Sequence, residues 1–549
     1  MSDAPSSPIK ITARSGERRQ VTVLFADMVG FTAISERLGE EGVFALIQPI
    51  YELMADAVRE QGGSVKDFTG DGIMALFGAP DALEDAPLRA CRAGLIINER
   101  LAAVAPAIEA KHGVRPLMRI GVNSGLAVVT QIRGESAAMT ALGDTVNLAS
   151  RLQTVADPGT VYISEATQRL VQGLVEATFA GAHAVKGKAE PQNVWRLVSL
   201  RQGATRFKAA VGRGLSAYIG RKRELETLER AFAEARTSLC VVDIVGEPGM
   251  GKSRLLHEFR YHGSEERTFV LTGNCSSDGR QTPFLPFIEL VRELFEVISG
   301  EKESEVERKL ELGLTELKLI SSENLAIMLN LLGLKPPEGV LTGLDGLLVG
   351  LRTRKLLEEI LAARSRISPV VLLFEDLHWI DSVSEAVFQN IIDSKVKIQI
   401  MIIVTRRPEY CPIWIDRPEV TKIYLEPLNA HDVKELVQEK LGSQQLPKAL
   451  TQLISDKAEG NALFAEEIVN FLVERGALRT DIGTMDFDAS VLAAALPASV
   501  QSLLTARVDR LLPQDRALLQ AAAVIGRRFD PRLLAVAAEV GGDIWRSQI

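Results

Sequence analysis

Residues 246–253 narrow the folds open to this chain more than any other segment does. They read GEPGMGKS, which fits the pattern GxxxxGK[ST], and they follow the apolar run 239–245 and precede a helical pattern over 253–261. This strand–loop–helix context predicts a P-loop, in which backbone amides cradle phosphates, Lys252 reaches the β- and γ-phosphates, and the Ser253 hydroxyl binds Mg²⁺. The loop glycines are Gly246, Gly249 and Gly251. We therefore expect an α/β domain that holds Mg·ATP.

A second apolar run agrees with this expectation. Residues 370–374 precede Glu375 and Asp376, as in a Walker B strand whose acids hold Mg²⁺ and polarise water. Glu stands where Asp is commoner, so which acid takes which role stays open. Residues 398–404 predict another strand. Arg406 and Arg407 follow it as candidate sensors of the γ-phosphate, and a surface arginine pair is the alternative.

Length and charge limit the classes of protein that remain. The chain has 549 residues, enough for three to four folding units of ordinary size. Its 63 Lys and Arg against 71 Asp and Glu give a net charge of −8, which provides no global attraction for nucleic acid or an anionic membrane. No apolar run approaches the ~18 residues of a membrane helix, and the N-terminus lacks a signal peptide. We expect a soluble cytoplasmic protein with no membrane or direct nucleic-acid partner.

Two aspartates mark a second candidate site nearer the N-terminus. Residues 21–25 form an apolar run, and Ala26 and Asp27 follow it directly. Asp71 stands at the tip of a predicted hairpin. Carboxylates on neighbouring strand ends can hold one or two Mg²⁺ or Mn²⁺ ions, and we include the adjacent Met28 as a metal-ligand position. The turn and helix start after Asp27 can meet phosphate oxygens through backbone amides, at Gly30, Phe31 and Thr32.

A helical segment supplies two further candidates. Asn147 and Arg151 stand four residues apart, so a helix puts both on one face. An amide can orient a ribose, and a guanidinium can neutralise charge that grows on a phosphoryl group. Taken singly, each piece has an ordinary explanation: an Asp at a strand end is more often a cap, Gly-Asp-Gly is usually a turn, and Asn147 with Arg151 would be a solvated face.

In this order the pieces resemble the class III nucleotidyl cyclase domain over residues 19–199, including the segment HAVKGK at 183–188. The resemblance implies an α+β domain with a ferredoxin-like core that is active as a homodimer. It also implies a reaction in which the ribose 3′-hydroxyl of ATP attacks the α-phosphate and pyrophosphate leaves. Asp27 and Asp71 would then bind two metal ions per site, Asn147 the ribose and Arg151 the transition state. Lys186 would contact the terminal phosphates.

One position departs from the family pattern. Adenylyl cyclases typically carry a Lys that reads adenine four residues before the second metal Asp, and here that residue is Asp67. Lys66 would face the other way unless the hairpin carries a bulge. The second base-reading position is Thr140, which soluble adenylyl cyclases tolerate. Guanylyl cyclases use a Glu at the first position, so Asp67 leaves adenylyl, guanylyl and weak or absent activity open.

The P-loop region, with GRKREL at 220–225 and EGNALF at 459–464, resembles the signal-transduction ATPases related to AAA proteins. We predict a disordered arm (1–18), the cyclase domain (19–199), a linker (200–217) and the ATPase domain (218–427). An all-helical or winged-helix-like module (428–549) would follow, and we expect it to be truncated. Its missing repeat region would bind regulatory proteins. The layout resembles bacterial cyclase–ATPase regulators.

Two functions remain in competition at this stage. One is a dimeric cyclase that the attached ATPase module regulates. The other is a signalling scaffold in which the P-loop domain switches on nucleotide binding and the cyclase domain binds nucleotide without turnover. The complete set of Asp27, Asp71, Asn147 and Arg151 favours the enzyme, whereas Asp67 favours the scaffold.

Overall fold

The computed structural model describes residues 17–201, 207, 211 and 215–487, with gaps at 81, 132–138, 187, 189, 263–268, 277–278, 280–281, 299–300, 394–398, 418, 443–445, 475–477 and 482–483. Beyond 487 it describes only positions 500, 508, 516, 519, 522 and 523. The chain divides into two compact units, Met1–Leu215 with Ala493–Ile549, and Ser216–Leu492. Most of the predicted arm, much of the linker and most of residues 488–549 lie outside the described residues.

The first unit contains eight described strands and four described helices. The strands are β1 (Glu17–Met28), β2 (Ser64–Phe68), β3 (Gly72–Phe77), β4 (Met118–Gln131), β5 (Met139–Leu142), β6 (Thr160–Ser164), β7 (Val175–His183) and β8 (Gln192–Leu200). The helices are α1 (Phe31–Glu60), α2 (Ala86–His112), α3 (Asp144–Val155) and α4 (Glu165–Val171). Because β1 begins at Glu17, the last two residues of the predicted arm belong to the sheet instead.

The sheet of this unit has the strand order β2-β3-β1-β4-β6-β8-β7, and β5 pairs with β4 beside this path. The first six elements run β1-α1-β2-β3-α2-β4, and their four strands lie in the order β2-β3-β1-β4, which is the ferredoxin-like arrangement. The central strand β1 is antiparallel to both β3 and β4. The predicted α+β fold is therefore confirmed for this unit.

Alternation along β1 divides the sheet into two apolar faces. Leu24 and Ala26 belong to the core that α1 and α2 cover. Val23 instead packs in a second cluster with Ala149 of α3. Because successive side chains on a strand point to opposite faces, Asp27 lies on the same face as Val23, the one that α3 occupies.

The second unit is built on a five-stranded parallel sheet in the order β10-β11-β12-β9-β13. Its strands are β9 (Cys240–Val245), β10 (Phe269–Asn274), β11 (Val370–Glu375), β12 (Ile400–Arg406) and β13 (Val420–Tyr424). The helices are α5 (Lys222–Ala235), α6 (Lys252–His262), α7 (Leu285–Leu294), α8 (Glu303–Glu316), α9 (Ser322–Leu331), α10 (Gly346–Ser365) and α11 (Ser382–Asp393). Apolar clusters cover the sheet, as the predicted α/β fold requires.

Three helices and a hairpin follow the sheet in the second unit. They are α12 (Ala430–Leu441), α13 (Lys448–Ala458), α14 (Ala462–Glu474), and the antiparallel strands β14 (Leu478–Asp481) and β15 (Thr484–Phe487). The described part of this region is mainly helical but includes the hairpin, so an all-helical module is not confirmed. Its winged-helix character stays a prediction. Among the described helices, none is both long and apolar enough to span a bilayer.

Candidate functional site

Asp27 and Asp71 meet at the end of the central strand of the first unit. The Met28 amide donates to the Asp71 carbonyl at 3.1 Å, which holds the hairpin tip against the end of β1. The two carboxyl groups lie close enough to interact, and the pKa of Asp27 rises to about 7, first through burial and then through Asp71. Two carboxylates this close cannot both ionise cheaply without a cation. An all-oxygen donor pair of this kind fits a hard divalent ion such as Mg²⁺ or Mn²⁺.

Gly72 permits this contact. It lies opposite Asp27 in the β1–β3 ladder. A Cβ built on Gly72 would lie 1.9 Å from the Ala26 carbonyl oxygen, far inside any real contact. Only glycine therefore allows the hairpin to approach β1 closely enough to bring the two carboxyl groups together.

The structure adds two residues that the sequence analysis missed. The Gln153 Nε2 of α3 donates to Asp27 Oδ2 at 3.0 Å. Arg119 lies opposite Asp27 on β4, and its charge is the weakest of the influences on the pKa of Asp27, which it lowers. The Arg119 Nε is buried and makes no hydrogen bond with the described residues. A cation inside the apolar strand 117–122 was the available sequence signal for Arg119, and nothing in the sequence distinguished Gln153.

The start of α1 lies directly after this pair. Gly30 is the N-cap residue, with a φ of 70°, and no side chain caps the helix. The first turn of α1 carries no acid. The backbone amides around Phe31 and Thr32 are thus available to an anionic group. Among the described residues, the predicted phosphate-binding amides thus lie next to the two aspartates. Phosphate binding itself stays a prediction.

The first base-reading position lies on the hairpin β2–β3, where the structure has a β-bulge. The pairing register shifts between Val65 and Asp67, so that Asp67 lies opposite Met74 and Lys66 is the extra residue. Lys66 is half-buried, and burial lowers the pKa of its amine, whereas Asp67 is exposed. Because of this bulge, Lys66 and Asp67 can lie on the same face of the hairpin. The second base-reading position, Thr140, lies in β5 opposite Thr130 of β4, and its side chain is outside the described residues.

The outer face of α3 carries the two proposed catalytic side chains. Asn147 is exposed and Arg151 half-buried. In the described part of the chain, neither forms a hydrogen bond to Asp27 or Asp71. Lys186 is exposed after β7, while Lys188 pairs with Asp144 at 2.6 Å. The described chain thus brings together the carboxylate pair and the start of α1, while the residues predicted to contact the ribose, the transition state and the terminal phosphates form no described hydrogen bond with the pair.

In the second unit, the P-loop connects β9 to α6. Gly249 and Gly251 have φ angles of 83° and 92°, which favour glycine. Lys252 is buried, and its Nζ donates to the carbonyls of Gly246 at 2.6 Å and Glu247 at 3.1 Å. The lysine is thus held across the loop by backbone acceptors, at the position from which a P-loop lysine reaches phosphates.

The two predicted Walker B acids, Glu375 and Asp376, contact different groups. The Ser253 Oγ donates to Glu375 Oε2 at 2.7 Å, which brings together the two side chains expected around Mg²⁺. Asp376 has a φ of 56°, and its amide donates to Thr405 Oγ1 at 2.9 Å. Burial lowers the pKa of Lys252, and the negative charge of Asp376 raises it. Glu375 therefore lies nearer the Ser253 hydroxyl, and Asp376 acts on the lysine.

The two candidate sensor arginines differ sharply. Arg406 is buried and makes a two-point ion pair with the fully buried Asp243, with Nε–Oδ1 at 2.9 Å and Nη2–Oδ2 at 3.0 Å. Because this pair and backbone carbonyls occupy its donors, the sensor role expected for Arg406 is corrected to a structural one. Arg407 lies close enough to Lys252 for its charge to lower the pKa of that lysine. It is the arginine that remains a sensor candidate.

The two flanking segments quoted for the ATPase resemblance both contact the P-loop region. The Arg221 Nη2 donates to the Glu426 carbonyl at 2.5 Å and to the Met250 carbonyl at 3.5 Å. The Asn461 Nδ2 donates to the Pro248 carbonyl at 2.8 Å. Both segments are therefore part of the same nucleotide-binding region of the second unit.

Comparison with known families places both units. Residues 14–198 match the family described as the adenylate and guanylate cyclase catalytic domain, and residues 217–403 match the AAA ATPase domain. A domain of unknown function matches residues 430–484. The chain carries a class III cyclase domain followed by an AAA ATPase domain.

Individual relatives cover different parts of the chain. An uncharacterised protein of Rhizobium meliloti (strain 1021) is 28% identical over 96% of this chain and 51% of its own length. Adenylate cyclase 1 of the same strain is 33% identical over 34% of this chain and 29% of its own. The crystal structure of the adenylyl cyclase CyaB from P. aeruginosa matches at 27% identity and a TM-score of 0.33, over 35% of this chain and 100% of that one. The chain spans about half the length of the first relative.

Proposed function

We propose that the first unit is an adenylate cyclase that converts ATP to 3′,5′-cyclic AMP and pyrophosphate in a homodimer. The observation that carries the proposal is the contact between Asp27 and Asp71. A pair of touching carboxylates at a strand end, with no third acid, cysteine or histidine grouped around it among the described residues, leaves coordination positions for triphosphate oxygens.

The chain's own residues divide the reaction between them. Asp27 and Asp71 would hold divalent ions, which would supply Lewis-acid activation of the 3′-hydroxyl and neutralise the phosphates. The amides at the start of α1 and the Arg119 guanidinium bind phosphate oxygens. The 3′-oxygen forms a bond to the α-phosphorus as the bond to the pyrophosphate oxygen breaks, and the hydroxyl proton leaves to solvent.

The homodimer is supported by what one subunit leaves exposed. Asn147 is exposed and Arg151 half-buried on α3, and among the described residues neither forms a hydrogen bond to Asp27 or Asp71 of its own subunit. The hairpin of β4 and β5 exposes the large apolar side chains Leu126, Val128 and Leu142. A second copy would cover these side chains and bring an Asn and an Arg to the carboxylate pair. Each dimer would then hold two complete sites.

The preference for ATP rests on the bulge at Lys66. An ammonium group donates hydrogen bonds and accepts none, so it recognises the acceptor N1 of adenine, whereas the N1 of guanine is itself a donor. The half-buried Lys66 has this chemistry, and the neighbouring Asp67 would favour guanine. Because Asp67 is the more exposed of the two, we assign the purine contact to Lys66.

Two matched substitutions test this assignment. Lys66→Met keeps the length of the side chain and removes its charge, and we expect the ratio of ATP to GTP turnover to fall about tenfold or more. Asp67→Asn should change that ratio less than threefold. The measurement is kcat/KM for both triphosphates with each variant. A ratio that moves with Asp67→Asn and not with Lys66→Met would favour a guanylate cyclase.

The second unit is proposed to bind Mg·ATP and regulate the cyclase. The support is the arrangement of Lys252, Ser253 and Glu375 around one loop. Lys252→Ala should abolish ATP binding to this unit, measured by nucleotide titration, while leaving the cyclase carboxylates intact. Unchanged affinity in that variant would contradict the assignment.

A further inference from the structure

Gln153 is the residue of α3 that reaches the carboxylate pair. Its Nε2 donates to Asp27 Oδ2 at 3.0 Å. Among the described hydrogen bonds, this one alone ties α3 to either carboxylate. It lies outside the roles assigned above to Asn147 and Arg151, which occupy the same helix.

The position of Gln153 is set by close backbone packing. Gly121 of β4 has no Cβ, and one built there would lie 2.3 Å from the Gln153 amide nitrogen and 2.4 Å from the Ala149 carbonyl oxygen. The helix therefore rests directly on the strand. Gln153 itself is 8% exposed, and its neighbour Leu152 is fully buried. The amide donor is thus held in place before any ligand binds.

A neutral donor suits this place. The Gln153 amide engages Oδ2 of Asp27 without bringing a positive charge to the place where a cation would bind. Side chains that hold metal-ligating carboxylates in this way typically account for 10- to 100-fold in metal affinity.

The opposite face of α3 faces outward. Gln153 lies about 200° around the helix axis from Arg151, given 100° per residue. The buried face of α3 therefore contacts the carboxylate pair of its own subunit, while its outer face carries Arg151. A single short helix thus connects the two half-sites of the proposed dimer.

We propose that Gln153 is a positioning residue that holds the Asp27 carboxylate in the orientation that metal binding requires. The inference rests on the proposed function for its catalytic consequence, but not for the metal binding itself. Gln153→Leu removes the donor while roughly keeping the volume. Leu152→Val is the matched control, because it trims the same helix in the core without touching Asp27.

The direct test is Mn²⁺ binding to the nucleotide-free full chain, followed by electron paramagnetic resonance. The Asp27→Asn/Asp71→Asn double variant serves as the blank, so that the difference reports the carboxylate pair. We expect Gln153→Leu to weaken this binding about tenfold and Leu152→Val to leave it within twofold. In turnover, Gln153→Leu should raise the Mg²⁺ concentration for half-activation about tenfold. The KM for ATP at saturating metal should change less than twofold.

The outcomes separate this inference from the proposed function. If Gln153→Leu binds Mn²⁺ within twofold of the parent, or Leu152→Val weakens binding equally, the positioning role is wrong. A parent with no Mn²⁺ binding at the pair overturns it as well. If the parent binds Mn²⁺ and Gln153→Leu weakens it, but no triphosphate is cyclised, the positioning role stands and the proposed function fails.

Discussion

The two touching carboxylates determine how the first unit responds to pH and metal. The pKa of Asp27 lies at about 7, above its usual value of 3.8, so the folded state holds its proton more tightly than the unfolded chain does. The stability of the metal-free unit should therefore fall as the pH rises from 3.8 to about 7. A divalent ion bound by the pair would remove this cost, so stability at neutral pH should recover on adding Mg²⁺.

Asp71→Asn tests this electrostatic account. It removes the like charge beside Asp27, so we expect the metal-free variant to unfold at a higher temperature than the parent at pH 8, while losing cyclase activity. Asp67→Asn removes a nearby exposed charge that does not touch Asp27, and it should leave the unfolding temperature nearly unchanged. Calorimetry in EDTA measures both. A lower midpoint for Asp71→Asn would mean that the carboxyl contact stabilises the fold.

Two glycines of β4 allow α3 to pack closely on this strand. One faces backbone atoms of α3 and the other faces a side chain. A Cβ on Gly121 would meet backbone atoms of α3, at 2.3 Å from the Gln153 nitrogen, whereas one on Gly125 would meet the Thr145 hydroxyl at 2.7 Å. Backbone cannot move aside as a side chain can. We expect Gly121→Ala to cost about 1–3 kcal/mol in unfolding free energy and to reduce cyclase activity. Gly125→Ala should cost less, as denaturant titration would measure. Equal costs would mean that α3 shifts freely.

Asn461, the residue directly before α14, contacts the P-loop. This side chain accepts from the Phe464 amide as a helix cap and donates to the Pro248 carbonyl. Asn429 caps α12 in the same way, by accepting from the Asp432 amide. Loss of either cap should cost about 0.5–2 kcal/mol. Only Asn461→Ala should also weaken ATP binding, measured by nucleotide titration. Weakening by Asn429→Ala as well would assign the effect to general destabilisation.

The sequence predicted strands and helices well where the spacing of apolar residues and the turn residues indicated the same boundaries. The P-loop, its strand and its helix follow from residues 239–261, and the carboxylates at the ends of β1 and the β2–β3 hairpin follow from Asp27 and Asp71. The contacts of Gln153 and the burial of Arg406 could not be predicted, because both depend on which distant strand or helix packs against them. The hairpin β14–β15 was missed because its two strands have only four residues each.

At the scale of the whole chain, each of the two units carries a proposed triphosphate site, and the two proposed sites are built differently. The first uses carboxylates and an incomplete half-site that a second copy would complete. The second brings Lys252, Ser253 and Glu375 together around the P-loop within one chain. We therefore expect cyclase activity per subunit to fall on dilution, while ATP affinity at the P-loop stays constant.

The cyclisation of ATP that we propose for the first unit can be tested by its products. The most direct measurement incubates the full chain with Mg²⁺ and either ATP or GTP in parallel and resolves the products chromatographically, beside the Asp27→Asn/Asp71→Asn double variant. We predict 3′,5′-cyclic AMP as the main product, less cyclic GMP, and neither from the double variant. Absence of any cyclic nucleotide from the parent, or equal yields from parent and double variant, would contradict the account.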